Sequence, residues 1–299
     1  MSAIKNWWQF TKERFEPVSH LTMIIVFLAA HILVARALLP VNIEGLDYLT
    51  LLIGVTAFYF KLRLYDEVKD YDLDVIINKH RPLPRGLLNL KSMYRGMLVC
   101  ILIELVCFSS QGFTSAMSAV IAITYSLIMY KEFFIAEKIR PYLTTYALVH
   151  TIVTTILSFA IFSFLTHENF FKLLINPPFL SFAMTNWLLF NIFEFGRKTF
   201  ASSEERENVD TYSSLFGAIG AVILVFSQAA IAFYLTLNLE KANHNIIIWG
   251  NALLLILLGL LSFNYIYTNK PIAAKRFRNF SSLYIIIFYL ILITAHLIT

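Results

Sequence analysis

The chain has 299 residues, of which 58% are hydrophobic and only 14% charged, and a formal net charge of +5. Soluble domains carry about 25% charged residues; the deficit here runs along the whole length and excludes a soluble domain with a membrane tail. The excess positive charge follows membrane topology instead of forming a patch, so nucleic acid is not expected as a partner.

In chain order, residues 1–18 mix charge with aromatics (Trp7, Trp8, Phe10, Lys12, Arg14) and read as an interfacial lead-in, with no cleavable signal peptide. A helix needs about 20 apolar residues to cross a bilayer, and nine stretches qualify: 19–39, 47–66, 92–110, 113–131, 142–165, 176–195, 212–236, 246–267 and 280–298. Short connections join them, so residues 1–299 are expected to form one transmembrane domain. Placing the N-terminus in the cytoplasm and alternating, all Lys and Arg except Arg36, Lys172 and Lys241 fall on inner segments. That asymmetry obeys the positive-inside rule and puts the C-terminus outside. Cys100 and Cys107 lie two turns apart in one span, too far for a disulfide and without metal-ligand spacing.

The second span carries an acidic inner end: Asp66, Glu67, Asp70, Asp72 and Asp74. A helix continuing to Asp74 would be about 42 Å long at 1.5 Å per residue, against a hydrocarbon core of about 30 Å. Its end would project into a headgroup-level or cytoplasmic cavity. Asp66, Asp70 and Asp74 then form one i, i+4, i+8 stripe of mutually repelling carboxylates. A cation would offset that cost, and hard oxygen ligands at this density suit Mg²⁺; a solvated helix end of mixed charge is the plainer reading. The basic loop Asn78-Lys79-His80-Arg81-Pro82-Leu83-Pro84-Arg85-Gly86 follows. Its prolines fix φ, Gly86 permits a tight turn, and Arg81 and Arg85 suit phosphate oxygens, unless they serve only as positive-inside flanks.

The inner end of the sixth span repeats the theme. Asn191, Glu194 and Lys198 share a face at i, i+3, i+7, Arg197 stands beside them, and a carboxylate inside an apolar run is rarely idle. Tyr125 and Lys131 mark the inner end of the fourth span, Lys131 as an interfacial anchor or a diphosphate contact. His150 reads as a satisfied bundle histidine, and the last two spans show no polar constellation.

Asp66-x-x-x-Asp70-x-x-x-Asp74 followed by Arg81-Pro82-Leu83-Pro84-Arg85-Gly86 resembles the first signature of the UbiA superfamily of intramembrane prenyltransferases. Asn191, Glu194, Lys198, Thr211 and Gly217 resemble the second, and Tyr125 and Lys131 the family's fourth-helix Tyr and Lys. The resemblance implies an all-α bundle of nine transmembrane helices with a central cavity open to the cytoplasmic side. It implies Mg²⁺ held by Asp66, Asp70, Asp74 and Glu194, and a diphosphate contacted by Arg81, Arg85, Lys131 and Lys198, with Tyr125, Asn191 and Arg197 on the substrate side. The reaction it implies is prenyl transfer from an isoprenyl diphosphate to a lipophilic or aromatic acceptor in the membrane. A membrane terpene cyclase on the same scaffold is the near alternative. A transporter or non-catalytic scaffold is the distant one, to be marked by Gly or Pro breaks at mid-membrane in repeated halves. The chain departs from the family pattern where Asn191 and Lys198 replace carboxylates. Either the second metal site is weakened and Lys198 supplies positive charge to the diphosphate, or Lys198 pairs with an Asp across the cavity.

Overall fold

The computed structural model describes all residues except 1, 2, 42, 208, 238, 240, 241 and 299; Lys241, expected outside the membrane, lies outside the described residues. The described residues are helical, with no strand. The helices are α1 (Ala3–Arg14), α2 (Pro17–Leu38), α3 (Gly45–Lys69), α4 (Tyr71–Ile77), α5 (Leu90–Ser109), α6 (Phe113–Tyr130), α7 (Ala136–Ile139), α8 (Leu143–Thr151), α9 (Val153–Thr166), α10 (Phe170–Leu174), α11 (Pro177–Arg197), α12 (Tyr212–Thr236), α13 (His244–Thr268) and α14 (Pro271–Leu297). Among the described residues, eight segments are long and apolar enough to cross a membrane: α2, α3, α5, α6, α8 with α9, α12, α13 and α14. The ninth expected span, α11, falls outside that set, because Asn186, Asn191 and Glu194 interrupt its apolar run. It packs on α12, α14 and α9.

Three boundaries differ from expectation. The acidic helix does not continue to Asp74: α3 ends at Lys69, Asp70 caps it, and α4 begins at Tyr71. Carboxylates are unfavourable at the negative end of a helix dipole and favourable at a positive one. Restarting the helix at Asp70 moves Asp72 and Asp74 from the first situation to the second. The span at 142–165 is broken at Ile152. There Thr151 and Thr154 return hydroxyl bonds to the carbonyls of Ala147 (2.9 Å) and Thr151 (2.8 Å), a competition that bends helices. The last helix starts at Pro271, with Ala273, Ala274 and Phe277 buried while Lys275 and Arg276 stay exposed, an amphipathic turn that mean hydropathy conceals.

Two buried polar devices tie the bundle. Asn186 of α11 donates to Ser158 Oγ of α9 (3.0 Å) and His31 Nε2 of α2 (3.3 Å), and accepts from Tyr289 Oη of α14 (2.8 Å). Lys61 of α3, grouped with the inner cations from sequence, is instead fully buried and paired with Glu104 of α5 at 2.5 Å. The close approach of α11 to α14 requires Gly196, whose added Cβ would lie 2.2 Å from that of Ser281. The N-terminal lead-in is docked: Phe10 and Phe15 are buried, and Arg14 meets Glu67 at 2.5 Å.

Candidate active site

The α3–α4 junction presents its carboxylates in three different states. Asp66, on the last turn of α3, keeps 52% of its side chain accessible, with Arg63 and Lys69 each 3.9 Å away. It lines a cavity of about 490 Å³ together with Tyr59 from its own helix, Met23 of α2, Phe190 and Phe193 of α11 and Ile286 of α14. Asp70 is accessible at the helix break; partial burial, then the charges of Asp66 and Asp74, hold its carboxyl above the usual range. Asp74 is buried and committed, accepting from Arg81 Nη1 (2.5 Å) and Asn78 Nδ2 (2.7 Å). The loop thus folds back on its own acid, turning at Gly86 with φ +79°, a conformation free of strain only for glycine. Arg85 points elsewhere, forking onto Glu13 of α1 at 2.7 and 2.9 Å.

The second charged cluster stands at the end of α11. Glu194 accepts from Arg197 at 2.5 and 2.9 Å and lies 3.2 Å from Lys198 Nζ, so cations of its own helix occupy both its oxygens. Lys198 therefore meets Glu194, and not an Asp across the cavity. Phe190 and Phe193 of the same helix line the cavity beside Asp66, so α11 carries Glu194 and Arg197 at the end of an element that walls it. Asn191 is fully buried, accepting from Thr151 Oγ1 and donating to Gln228 Oε1 (3.1 Å); its amide braces α8, α11 and α12. Behind this cluster Thr211 caps α12 through Ser214 N, and Gly217 breaks that helix with φ +70°.

A third cluster was not legible from motif spacing. Lys69 Nζ donates to Tyr146 Oη (3.1 Å), which donates to Glu132 Oε1 (3.0 Å), and Arg140 closes the chain on Glu132 at 2.8 Å. Burial alone would raise the Glu132 carboxyl, but bonds from Arg140 and Tyr146 outweigh it and hold the group below its ordinary range. Glu132, Phe133 and Phe134 all have positive φ, a left-handed turn costing roughly 1–2 kcal/mol per residue that this pairing holds in place. Lys69, at one end of this chain, lies 3.9 Å from Asp66 and ties the cluster to the acidic end of α3. His150 stacks on Tyr146 with ring centres 3.8 Å apart and donates from Nδ1 to the Tyr146 carbonyl (2.7 Å). Its Nε2 is buried and without a hydrogen-bond partner among the described residues. Tyr125 Oη donates to the Val149 carbonyl (2.7 Å), and Lys131 lies over the Tyr130 ring at 5.1 Å, outside any ion pair among the described residues. The signal that was available for the third cluster was only a pair of charged residues, Glu132 and Arg140, in a short loop between two spans.

Toward the interior the cavity turns aromatic. Tyr59 and Phe190 face each other with an interplanar angle of 11° and centres 5.9 Å apart. The Tyr59 hydroxyl is buried and has no hydrogen-bond partner among the described residues. The cavity joins a charged end, Arg63 and Asp66, to an apolar aromatic body. It suits a ligand with a multiply charged anionic end and a hydrocarbon tail.

No protein-family model and no curated protein matches the sequence. Solved structures do resemble it. A digeranylgeranylglyceryl phosphate synthase superimposes with a TM-score of 0.67 at 16% identity, over 98% of this chain and 99% of that one. The apo structure of a UbiA homolog from Aeropyrum pernix K1 gives 0.65 at 15% identity, over 93% and 97%. This chain is an all-helical membrane-type bundle with the UbiA fold.

Proposed function

We propose that this chain is an integral membrane prenyltransferase, N-terminus cytoplasmic and C-terminus outside, with α11 as a ninth span. It moves the prenyl group of an isoprenyl diphosphate to a lipophilic or aromatic acceptor. The observation that supports this reading is Asp66 lining a cavity walled by Tyr59, Phe190 and Phe193, with Arg197 and Lys198 at the end of the helix that carries both phenylalanines. The diphosphate is placed between the α3 carboxylates and the α11 cations, and the tail along Tyr59 and Phe190.

Among the described residues no three His, Cys, Asp or Glu side chains form a ready metal cluster. Asp74 and Glu194, both expected as ligands, are taken by cations. Asp66 and Asp70 are different: accessible, and bonded at hydrogen-bond distance to no side chain among the described residues. One or two carboxylates completed by substrate phosphates is the pattern Mg²⁺ favours, so the residues fit a single ion better than two. Asp66 and Asp70 would hold it, and when bound it would neutralise charge on the diphosphate. On the other side Arg197 and Lys198 supply fixed positive charge, and Lys69 and Arg140 frame the floor. These groups favour heterolysis of the allylic C–O bond, in which the bonding pair leaves on a diphosphate oxygen whose growing charge meets preorganised donors. The aromatic walls exclude water from the allylic cation, and the acceptor attacks it and loses a proton.

Binding of geranylgeranyl diphosphate to the detergent-purified chain, titrated with Mg²⁺ by calorimetry, tests this. Wild type should bind with one Mg²⁺ per diphosphate, Asp66→Asn should lose the metal dependence, and Lys198→Asp should gain a second metal equivalent. If neither wild type nor Lys198→Asp binds diphosphate with Mg²⁺, the enzymatic reading falls. Turnover with no acceptor present, giving a cyclised hydrocarbon, would move the assignment to a cyclase.

A further inference from the structure

A second recess, independent of the site above, lies on the bilayer-facing side of α3 and α5. It has a volume of about 740 Å³ and is walled by Leu52, Ile53 and Phe60 of α3 and by Gly96, Val99 and Ile103 of α5. From Ser92 to Ile103 it follows α5 for about 16 Å at 1.5 Å per residue, half of the roughly 30 Å hydrocarbon core. Its depth is that of one leaflet. Phe60, which lines it, stands edge-to-face with Phe10 and with Phe15, and Phe15 lines the 490 Å³ cavity; the two recesses share no lining residue. Leu98 and Leu102 beside it are exposed and define the wall as lipid-facing.

The interfacial end is chemically distinct. Arg95 lines it, exposed and without a hydrogen bond or ion pair among the described residues. Ser92 lines it too, and Lys91 is exposed one turn nearer the helix start. Among the described residues no carboxylate lines the recess. Trp7 of α1 forms the lip, and it does so because residue 96 is glycine: an added Cβ would lie 2.8 Å from the indole. Indoles favour the headgroup level. The recess therefore has an apolar slot one leaflet deep, an aromatic collar, and a cationic mouth with one guanidinium left unpaired.

We infer that this recess is a binding site for one anionic phospholipid, its acyl chain along Val99 and Ile103 and its headgroup phosphate on Arg95. The headgroup is selected by charge, since a zwitterion brings its own cation to a mouth that is already positive, and Arg forks match phosphate oxygens.

Native mass spectrometry of the full chain tests this, after extraction from vesicles of equal phosphatidylglycerol and phosphatidylcholine. Wild type should retain one phosphatidylglycerol per chain, at least tenfold over phosphatidylcholine. Arg95→Glu should lose that preference, and Val99→Trp, which fills the slot and keeps the charge, should lose the retained lipid of either kind. Lys275→Glu, which removes an exposed cation at the start of α14, should behave as wild type. Equal retention of both lipids by wild type, or equal loss in Lys275→Glu and Arg95→Glu, overturns the site in favour of diffuse surface attraction. Retention unchanged in Val99→Trp overturns the slot. Displacement of the retained lipid by geranylgeranyl diphosphate would assign the recess to substrate and likewise overturn the proposal.

Discussion

Removing the acid of the Lys61–Glu104 pair should be among the most damaging single changes in the protein. Both side chains are essentially inaccessible, at 0% and 1%, and separated by 2.5 Å. The second carboxylate oxygen, Glu104 Oε1, has no partner among the described residues, so the ion pair carries the whole burden of satisfying that charge. Breaking a buried pair by deleting one member costs about 3–5 kcal/mol, whereas replacing both members with apolar residues of similar size is often neutral or better. Lys61 also lies 4.5 Å from the centre of the Phe58 ring, a desolvated cation–π contact worth about 2 kcal/mol that survives when only Glu104 is changed. Glu104→Leu is therefore expected at the lower end, near 3 kcal/mol, about a hundredfold in the folding equilibrium. Lys61→Met/Glu104→Leu should recover most of that loss. The assay is equilibrium unfolding in mixed micelles with increasing SDS, followed by far-UV circular dichroism. A Glu104→Leu cost below about 1 kcal/mol, or a double variant as damaged as the single, would refute the reasoning. Because α3 also carries Asp66, the single variant should weaken diphosphate binding more than the double does.

Further outcomes follow from the same geometry. Gly196→Ala drives a methyl against Ser281 and should cost about 1–3 kcal/mol as overpacking; Ser281→Gly in the same chain should restore most of the melting temperature. Glu132 contributes stability that is present above the ordinary carboxylate range and lost as pH falls through its depressed folded value. The melting-temperature gap between wild type and Glu132→Gln should accordingly be widest near pH 7 and close on acidification below about pH 4; a gap that widens in acid would reverse the sign. Arg14→Met deprives the buried Glu67 of one of its two cations and should cost about 1–3 kcal/mol. Arg85→Met breaks a pair whose members are each about one-third accessible and should cost under 1 kcal/mol. Unfolding in the same micelles ranks the two.

What the sequence disclosed depended on the range of the physics involved. Span positions were legible because bilayer thickness imposes a length on apolar runs: 113–131 was expected where α6 runs Phe113–Tyr130, and 212–236 coincides with α12. Features set by a competition within one turn were not. The helix restart at Asp70 and the break at Ile152 each depend on a few local hydrogen bonds and on dipole sign, to which an average over 20 residues is blind. Of the site, the α3 and α11 clusters could be named because each repeats on one helix face. Their internal pairings could not, since Asp74 chooses Arg81 and Glu194 chooses Arg197 only once loops are folded. The Lys69–Tyr146–Glu132–Arg140 chain draws on three separate segments and has no linear signature. The last span, expected to show no polar constellation, supplies Tyr289 to the Asn186 junction, and its early start at Pro271 puts Arg278 on the same helix, paired with Glu204.

The Asn186 junction has a mechanical consequence. One amide pins α2, α9, α11 and α14 at a single level, so those four helices are tied into one block that carries Glu194 and Arg197. Asp66 rides on the other block, whose α3 packs chiefly on α5. The spacing between the acid and the guanidinium is therefore a property of the seam between two bodies. A bridging anion with its metal would act as a clasp across that seam. It should raise the melting temperature by mass action, worth about 2.7 kcal/mol at a hundred times Kd, and slow amide exchange on α3 and α11 together.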